Sequence, residues 1–176
     1  QQAFEMNPPR RLLGPGSVDG ESEAGTIPPL KNIEAGERFT IGILLSDTDR
    51  RLYGWGANEK DQVDSSANTR NLPGARNPVA KLTRALAPIT AGYDHVCSVL
   101  DVNNPTDPDE TALVCWGDDE HGQLGSLASQ NGAFVEVTEL PSDFELTLLD
   151  AGDDITCAAG HLVDAMLMPT ESRVYC

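Results

Sequence analysis

The sequence predicts an all-β fold made of a repeated unit of about four strands, and three observations predict it. The glycine of an Ala-Gly pair recurs at intervals of 56 and 60 residues, at Gly36, Gly92 and Gly152. A second landmark recurs at intervals of 61 and 61 residues, at Gly54, Cys115 and Cys176. Alternating, β-rich runs bounded by turn-forming residues lie between these landmarks. A repeat of this length is the signature of a solenoid, a propeller or an array.

The second unit shows the strands of the repeat most clearly. Residues 95–100 and 111–116 are strand-length and β-rich, and the Asp/Asn/Pro-rich stretch 101–110 between them cannot continue a strand. A long hairpin is predicted here, and the first unit has the same hairpin with a shorter turn at 47–49. The weaker runs 78–82 and 134–137 are candidates for an outer strand. About four strands per unit is the content of one propeller blade.

Glycines recur at equivalent positions of the units, at strand ends and after the tryptophans. Gly36, Gly92 and Gly152 stand where a strand ends and the chain must turn, so we expect positive φ there. Gly56 and Gly117 follow a tryptophan, and the same reason applies to them.

The two tryptophans, Trp55 and Trp116, are the largest apolar side chains of their units. Because both occupy the same phase of the repeat, we expect them to pack between neighbouring blades. The alternative is a pair of aromatic platforms for a ligand.

The second unit also resembles a known repeat. Ala-Gly-Tyr-Asp-His at 91–95, followed by Cys-Trp-Gly-Asp-Asp-Glu-His-Gly-Gln-Leu-Gly at 115–125, is similar to the repeat of the regulator-of-chromosome-condensation family. In that motif Gly122, Gln123 and Gly125 are repeat positions. The first unit is a degenerate copy, with Asp61 in place of the family glycine, and the third carries Ile155 in place of His95.

The resemblance covers residues 30–176 and implies a partial β-propeller of about two and a half repeats. The blades are expected near 30–77, 78–133 and 134–176, the last one truncated. Relatives usually have about seven blades and are mostly binding proteins. They include a nuclear nucleotide-exchange factor and a secreted propeller that inhibits β-lactamases.

The cysteines occur as pairs. They lie at equivalent points of the second and third hairpins, at Cys97, Cys115, Cys157 and Cys176. The first unit lacks both members of the pair and has Ile41 and Gly54 instead. Paired presence and paired absence on antiparallel strands predict the disulfides Cys97–Cys115 and Cys157–Cys176, each closing a loop of about 20 residues and contributing about 3 kcal/mol.

Two other states of the cysteines compete with the disulfides. Free buried cysteines are one alternative, whereas a zinc site does not fit because no Cys-x-x-Cys pair occurs. Disulfides do not persist in a reducing cytosol, so the bridges predict an extracellular or cell-surface protein. That location argues against the nuclear exchange-factor function.

The charge of the chain narrows the range of partners. The formal net charge is −16 over 176 residues, so nucleic acid and anionic membranes would be repelled. No run approaches the 18 or more apolar residues of a membrane span, and we expect no membrane insertion. The acidic turn 101–110 offers oxygens to calcium without the spacing of a known calcium loop. A rigid hairpin tip is the simpler interpretation, and no metal or cofactor is predicted.

Both ends of the sequence predict contacts with further parts of a larger protein or with neighbouring chains. Residues 1–29 are Pro/Gly-rich, and this composition predicts an extended leader of a processed or partial chain. The third unit stops at Cys176, and fewer than three blades are present where closed propellers need about four to eight. We therefore expect either a segment of a larger protein or completion by neighbouring chains through strand addition.

No catalytic constellation stands out. By the resemblance, His95 occupies a structural hydrogen-bonding position at the start of a strand, with a catalytic role as the alternative. His121 and His161 have no nucleophile pattern beside them, and no catalytic residues are predicted.

Three functions follow from these observations. The first is a non-catalytic extracellular assembly or protein-interaction protein, such as a filament or appendage subunit, with copies of itself or other surface proteins as partners. The second is a secreted propeller that binds or inhibits a soluble target through its loops. The third is a secreted hydrolase or lyase that uses acidic residues at the propeller mouth.

Overall fold

The computed structural model describes residues 30–44, 52–63, 71–76, 85–101, 111–125 and 134–176. These residues form strands and turns, with no helix among them. The strands are β1 (Leu30–Ala35), β2 (Phe39–Leu44), β3 (Leu52–Ala57), β4 (Asn71–Arg76), β5 (Ala85–Ala91), β6 (His95–Asp101), β7 (Thr111–Gly117), β8 (Val135–Glu136), β9 (Phe144–Gly152), β10 (Ile155–Val163) and β11 (Pro169–Tyr175). Within that part of the chain, nothing is long and apolar enough to cross a bilayer as a helix.

The strands form three antiparallel sheets, one for each sequence unit. Their strand orders are β1-β2-β3-β4, β5-β6-β7-β8 and β9-β10-β11. The first strand of the middle sheet, β5, contacts both β1 and β9. The first strands of the three sheets are therefore neighbours, as the innermost strands of propeller blades are. The predicted all-β fold is confirmed.

The predicted hairpin of the second unit is also confirmed. Its strands β6 and β7 pair without interruption from His95 opposite Gly117 to Asp101 opposite Thr111. In the first sheet the corresponding pair, β2 and β3, has Phe39 opposite Gly56. The two hairpins thus share one register, because the same alternation of apolar residues fixes it in both.

The outer strands differ in part from the sequence prediction. Val135–Glu136, within the predicted run 134–137, pairs with β7 and completes the second sheet, whereas the predicted unit boundary placed it with the third. Val135 is buried against the second sheet, which explains the assignment. The fourth strand of the first sheet is Asn71–Arg76, which its Pro-Gly pair had concealed. The leader 1–29, the turn 47–49, the run 78–82 and residues 102–110 lie outside the described residues.

Two apolar clusters hold the sheets together. The first joins the first and second sheets and includes Phe39, Ile41 and Trp116. The second joins the second and third sheets and includes Cys97, Cys115 and Leu149. Each sheet boundary therefore has its own core, built from the same repeat positions on either side.

Candidate functional site

The turns that follow the Ala-Gly pairs are linked by a row of backbone hydrogen bonds. The Glu37 N–H donates to the Tyr93 carbonyl oxygen at 3.1 Å, and the Tyr93 N–H donates to the Asp153 carbonyl oxygen at 2.8 Å. All three residues directly follow the repeated glycine. One main-chain hydrogen bond thus crosses each sheet boundary at the same phase of the repeat.

The Ala-Gly glycines are required for a different reason than the one predicted from the sequence. Positive φ was expected at Gly36, Gly92 and Gly152, and this is wrong because none of them adopts it. A Cβ on Gly36 would instead overlap the Phe39 ring, and one on Gly92 would overlap the His95 ring. Each ring folds back over its glycine, so the missing side chain makes room for it. Gly152 has open space around it.

The glycines after the tryptophans do have the predicted conformation. Gly56 has φ of 104° and Gly117 has φ of 108°. Each lies against the backbone of the preceding turn, because the N–H of the residue after it donates to a carbonyl oxygen of that turn. Ala57 N–H donates to Arg38 at 2.8 Å, and Asp118 N–H donates to Asp94 at 3.0 Å. A side chain at either glycine would collide with that carbonyl group.

The loops after Trp55-Gly56 and Trp116-Gly117 fold alike although their sequences diverge. In the first, the Gln62 side-chain oxygen accepts from the Lys60 N–H at 2.9 Å. In the second, the Gln123 oxygen accepts from the His121 N–H at 2.8 Å. The repeat glutamine therefore closes both loops.

The degenerate position of the first loop is also conformationally equivalent. Asp61 has φ of 60°, where Gly122 of the second loop has φ of 81°. Aspartate tolerates this left-handed region better than most residues, which explains how the loop keeps its shape without glycine. Gly125, the last repeat glycine, has φ of 69°.

The two tryptophans differ in their surroundings. Trp116 is completely buried, and its Nε1–H donates to the Gln62 carbonyl oxygen at 3.0 Å, across the first sheet boundary. Its ring lies 5.4 Å from that of Phe134. Trp116 is a packing residue rather than a ligand platform, because no ligand can reach it. Trp55 is only partly buried.

His95 connects the second sheet to the third. Its side chain is completely buried, and its Nε2 lies 2.7 Å from the Thr156 hydroxyl oxygen. The Nδ1 atom has no hydrogen-bond partner among the residues that the structure describes. Burial lowers the pKa of His95 below its ordinary value of 6.5, so the ring is neutral at pH 7. This environment supports the structural role and not the catalytic one.

Both predicted disulfides are present. The first, Cys97–Cys115, has a Cα–Cα distance of 4.1 Å and lies in the core between the second and third sheets. We call it the buried disulfide. The second, Cys157–Cys176, has a Cα–Cα distance of 4.2 Å and lies at the surface of the third sheet. We call it the exposed disulfide. With all four sulfur atoms bonded in pairs, the cysteines are neither free nor zinc ligands.

Ion pairs and a side-chain hydrogen bond join the first loop to the second sheet across the first sheet boundary. Lys60 Nζ lies 2.7 Å from Asp118 Oδ1 and 2.5 Å from Glu120 Oε1. The side-chain amide of Gln62 donates to Asp94 Oδ1 at 2.9 Å. These contacts hold the first loop against the second sheet. The sequence could not show them, because the repeat aligns the two loops without indicating that they touch.

A cleft of about 480 Å³ opens between the second and third sheets. At its mouth His121 Nε2 lies 3.7 Å from Asp154 Oδ2, and both side chains are exposed. Thr156 also lines the cleft, but its hydroxyl is engaged with His95. The cleft therefore does not bring a nucleophile and a base together. Among the described residues, no group of three or more histidine, cysteine, aspartate or glutamate side chains is arranged to hold a metal ion.

Within the part of the chain that the structure describes, the third sheet has one face that no other sheet covers. Leu148 pairs opposite Ala159, and Ala159 pairs opposite Val174, so these side chains share one face. By the alternation along β10, Cys157 and Ile155 lie on that face as well. We call this surface the trailing face. It carries three accessible apolar side chains, with Leu148, Ile155 and Val174 exposed by 68%, 53% and 67%.

Comparison with known proteins identifies the fold. No family model matches the chain, and no curated protein matches it either. Human WBSCR16 has a similar structure, with a TM-score of 0.56 and 15% identity over 77% of this chain and 34% of that one. The structure of yeast RCC1 (Prp20) bound to Kap60 gives a TM-score of 0.54 and 15% identity, over 76% of this chain and 27% of that one.

The chain thus spans about a third or less of the length of these two structures. At this level of identity the similarity shows the fold alone. Together with the three sheets and their shared register, it establishes that the chain has the fold of a partial β-propeller.

Proposed function

We propose that this chain is a non-catalytic extracellular or cell-surface protein that works by binding other proteins, as a subunit of an assembly such as a filament or appendage. The observation that carries the proposal is the trailing face. Three large apolar side chains, Leu148, Ile155 and Val174, are exposed on this one face of the sheet, at 68%, 53% and 67% of their full accessibility. An exposed apolar patch on a rigid surface is typical of a site where another protein binds.

The disulfides support an extracellular location. Each one joins directly opposed strands of a single hairpin, so it locks one sheet without connecting different sheets. Such bonds form and persist in oxidising compartments. They strengthen a small array of sheets that has only two boundary cores.

A non-catalytic role is supported by the state of the best candidate residues. His95 is buried, with its Nε2 2.7 Å from the Thr156 hydroxyl. Among the described residues that line the cleft, no serine, threonine or free cysteine other than that engaged threonine accompanies the His121–Asp154 pair. Propellers of this fold engage protein partners, as the complex of yeast RCC1 with Kap60 illustrates.

The test is the mass of the disulfide-intact chain in solution. Sedimentation velocity at increasing concentration is expected to show species heavier than 18.8 kDa that grow with concentration. A particle of 18.8 kDa at every concentration up to the millimolar range would contradict a role as an assembly subunit.

A second candidate, a secreted propeller that binds a soluble target, is favoured by the acidic loops. Glu59, Glu120 and Asp154 have side chains that are 38%, 59% and 47% exposed near the sheet boundaries, where they pair with Arg38, Lys60 and His121. Acidic residues exceed such partners over the chain, whose net charge is −16, and this excess fits a basic target. A monomeric chain that binds a cationic test protein such as cytochrome c, with affinity that falls as salt rises, would support this candidate over the first.

A further inference from the structure

We infer that the trailing face binds the first strand, β1, of a second copy of this chain, head to tail. The inference rests on the proposed assembly function and names the partner and both surfaces. It follows from what the two internal sheet boundaries have in common. Each boundary joins one face of a sheet to the innermost strand of the next, and the same repeat positions form it both times.

The first of these surfaces is the side of the innermost strand that meets the preceding sheet. Ile33, Ile89 and Leu149 are equivalent, because each stands two residues before the alanine of the Ala-Gly pair. Ile89 is 3% exposed and Leu149 is 9% exposed, since each packs into the boundary before its sheet. Ile33 in the first sheet is 56% exposed. We call the surface of β1 around Ile33 the leading face.

The second surface is the side of a sheet that meets the following one. Phe39, His95 and Ile155 are equivalent, because each starts the second strand of its sheet. Phe39 is 3% exposed and His95 is completely buried, whereas Ile155 on the trailing face is 53% exposed. Among the described residues, one copy of each half of the boundary is thus exposed, whereas the other copies pack together inside the chain.

The backbone repeats the same pattern. Each boundary is crossed by an N–H from the turn of one sheet to the carbonyl of the equivalent turn in the next, from Glu37 to Tyr93 and from Tyr93 to Asp153. The next donor in the series is the Asp153 N–H, and the first acceptor in the series is the Glu37 carbonyl. A second copy docked by its leading face would bring these two groups together.

Charge also favours this docking. Lys31 lies exposed on β1 beside the leading face, at the bulge between Leu30 and Asn32. Asp150 lies exposed on the trailing face, opposite Cys157 in the register, and Glu145 lies there with its carboxylate 3.2 Å from His161 Nε2. A basic residue beside one surface and acidic residues on the other favour this docking over trailing face against trailing face.

The contact is heterologous, since two different surfaces of the same chain meet. Such a contact closes into a ring when the rotation allows it and otherwise extends into a filament.

The test uses two variants with complementary defects, Ile33→Asp and Ile155→Asp, and the control Met166→Asp. All three positions are exposed by more than half, so the aspartates do not enter a core. Met166 lies in the turn between β10 and β11, away from both faces. Each of the first two variants alone is expected to weaken self-association at least about tenfold, whereas the control leaves it unchanged.

Mixing the two defective variants gives the decisive result. The Ile33→Asp copy keeps an intact trailing face and the Ile155→Asp copy keeps an intact leading face, so the mixture is expected to form pairs and stop there. Sedimentation of the mixture measures this directly. A mixture that stays as unassociated as its components, or an unaltered mass for either variant alone, would overturn the head-to-tail contact.

The outcomes separate this inference from the proposed function. If the unaltered chain is monomeric, the assembly function itself fails. If it assembles and Ile155→Asp weakens assembly while Ile33→Asp does not, the trailing face has another occupant. Deleting residues 1–29 then shows whether that occupant is the leader of a neighbouring chain, and either way the docking on β1 is overturned.

Discussion

The contact between Gly92 and the His95 ring makes a sharp test of how the sheets are joined. We expect Gly92→Ala to destabilise the chain and Gly152→Ala, at the equivalent position of the third sheet, to leave it as stable or slightly more so. The two substitutions add the same methyl group at the same phase of the repeat. They differ only in what that methyl group meets.

The magnitude follows from the surroundings of each glycine. A methyl at Gly92 would overlap the His95 ring and would lie 2.8 Å from the Asp153 carbonyl oxygen. The ring is buried and bonded to Thr156 at 2.7 Å, so it cannot move aside without losing that hydrogen bond. Overpacking costs about 1–3 kcal/mol. The lost hydrogen bond adds about 1 kcal/mol. We therefore expect a loss of about 2–4 kcal/mol in the free energy of unfolding.

At Gly152 no heavy atom lies within 4 Å of the added group, and the backbone is not in the left-handed region. Replacing glycine there lowers the entropy of the unfolded chain, which stabilises the folded one by about 0.4–1 kcal/mol. The assay is urea unfolding of the oxidised protein, followed by tryptophan fluorescence, because Trp116 lies in the core of the first boundary. Unfolding free energies of the two variants within about 0.5 kcal/mol of each other would refute the reasoning.

Three further predictions concern pH, redox state and backbone strain. Burial lowers the pKa of His95, so the stabilisation from its neutral ring is complete above about pH 6.5 and is lost as the pH falls through the folded-state pKa. Thermal unfolding between pH 8 and pH 5 should therefore show a smaller loss of stability in His95→Phe than in the unaltered chain. On titration with a reductant the exposed disulfide should open before the buried one, and mass spectrometry after thiol labelling would contradict this if the buried disulfide were labelled first. Leu167 has φ of 59° and is 76% exposed, so Leu167→Gly should raise the free energy of unfolding by about 1 kcal/mol, and a drop in the unfolding midpoint would speak against relieved strain there.

Much of the fold could be predicted from the sequence because equivalent positions of the repeated units can be compared with one another. The hairpin β6–β7 follows from two alternating runs on either side of a stretch that cannot form a strand. The cysteine pairing follows from equivalent positions in two hairpins, since opposed residues on antiparallel strands are close enough to bridge. Both predictions need only local pattern and repeat phase.

What could not be predicted depends on contacts between units. The Asn71–Arg76 strand contains Pro73 and Gly74, so its composition indicates a turn, and only the neighbouring β3 makes it a strand. Positive φ was the wrong prediction for Gly92, because the His95 ring that requires a glycine there folds over it only in three dimensions. The ion pairs of Lys60 with Asp118 and Glu120 join loops about one repeat apart, and the repeat pattern does not indicate that these loops touch.

The row of hydrogen bonds after the Ala-Gly pairs has an evolutionary consequence. Because main-chain atoms alone form it, the identity of the side chain at each of those turns is not constrained by the link. Glutamate, tyrosine and aspartate already occupy the three positions, at Glu37, Tyr93 and Asp153. Natural selection can therefore change the side chains at the first two turns without breaking the link, whereas the third turn is limited to residues that tolerate the left-handed region, since Asp153 has φ of 43°.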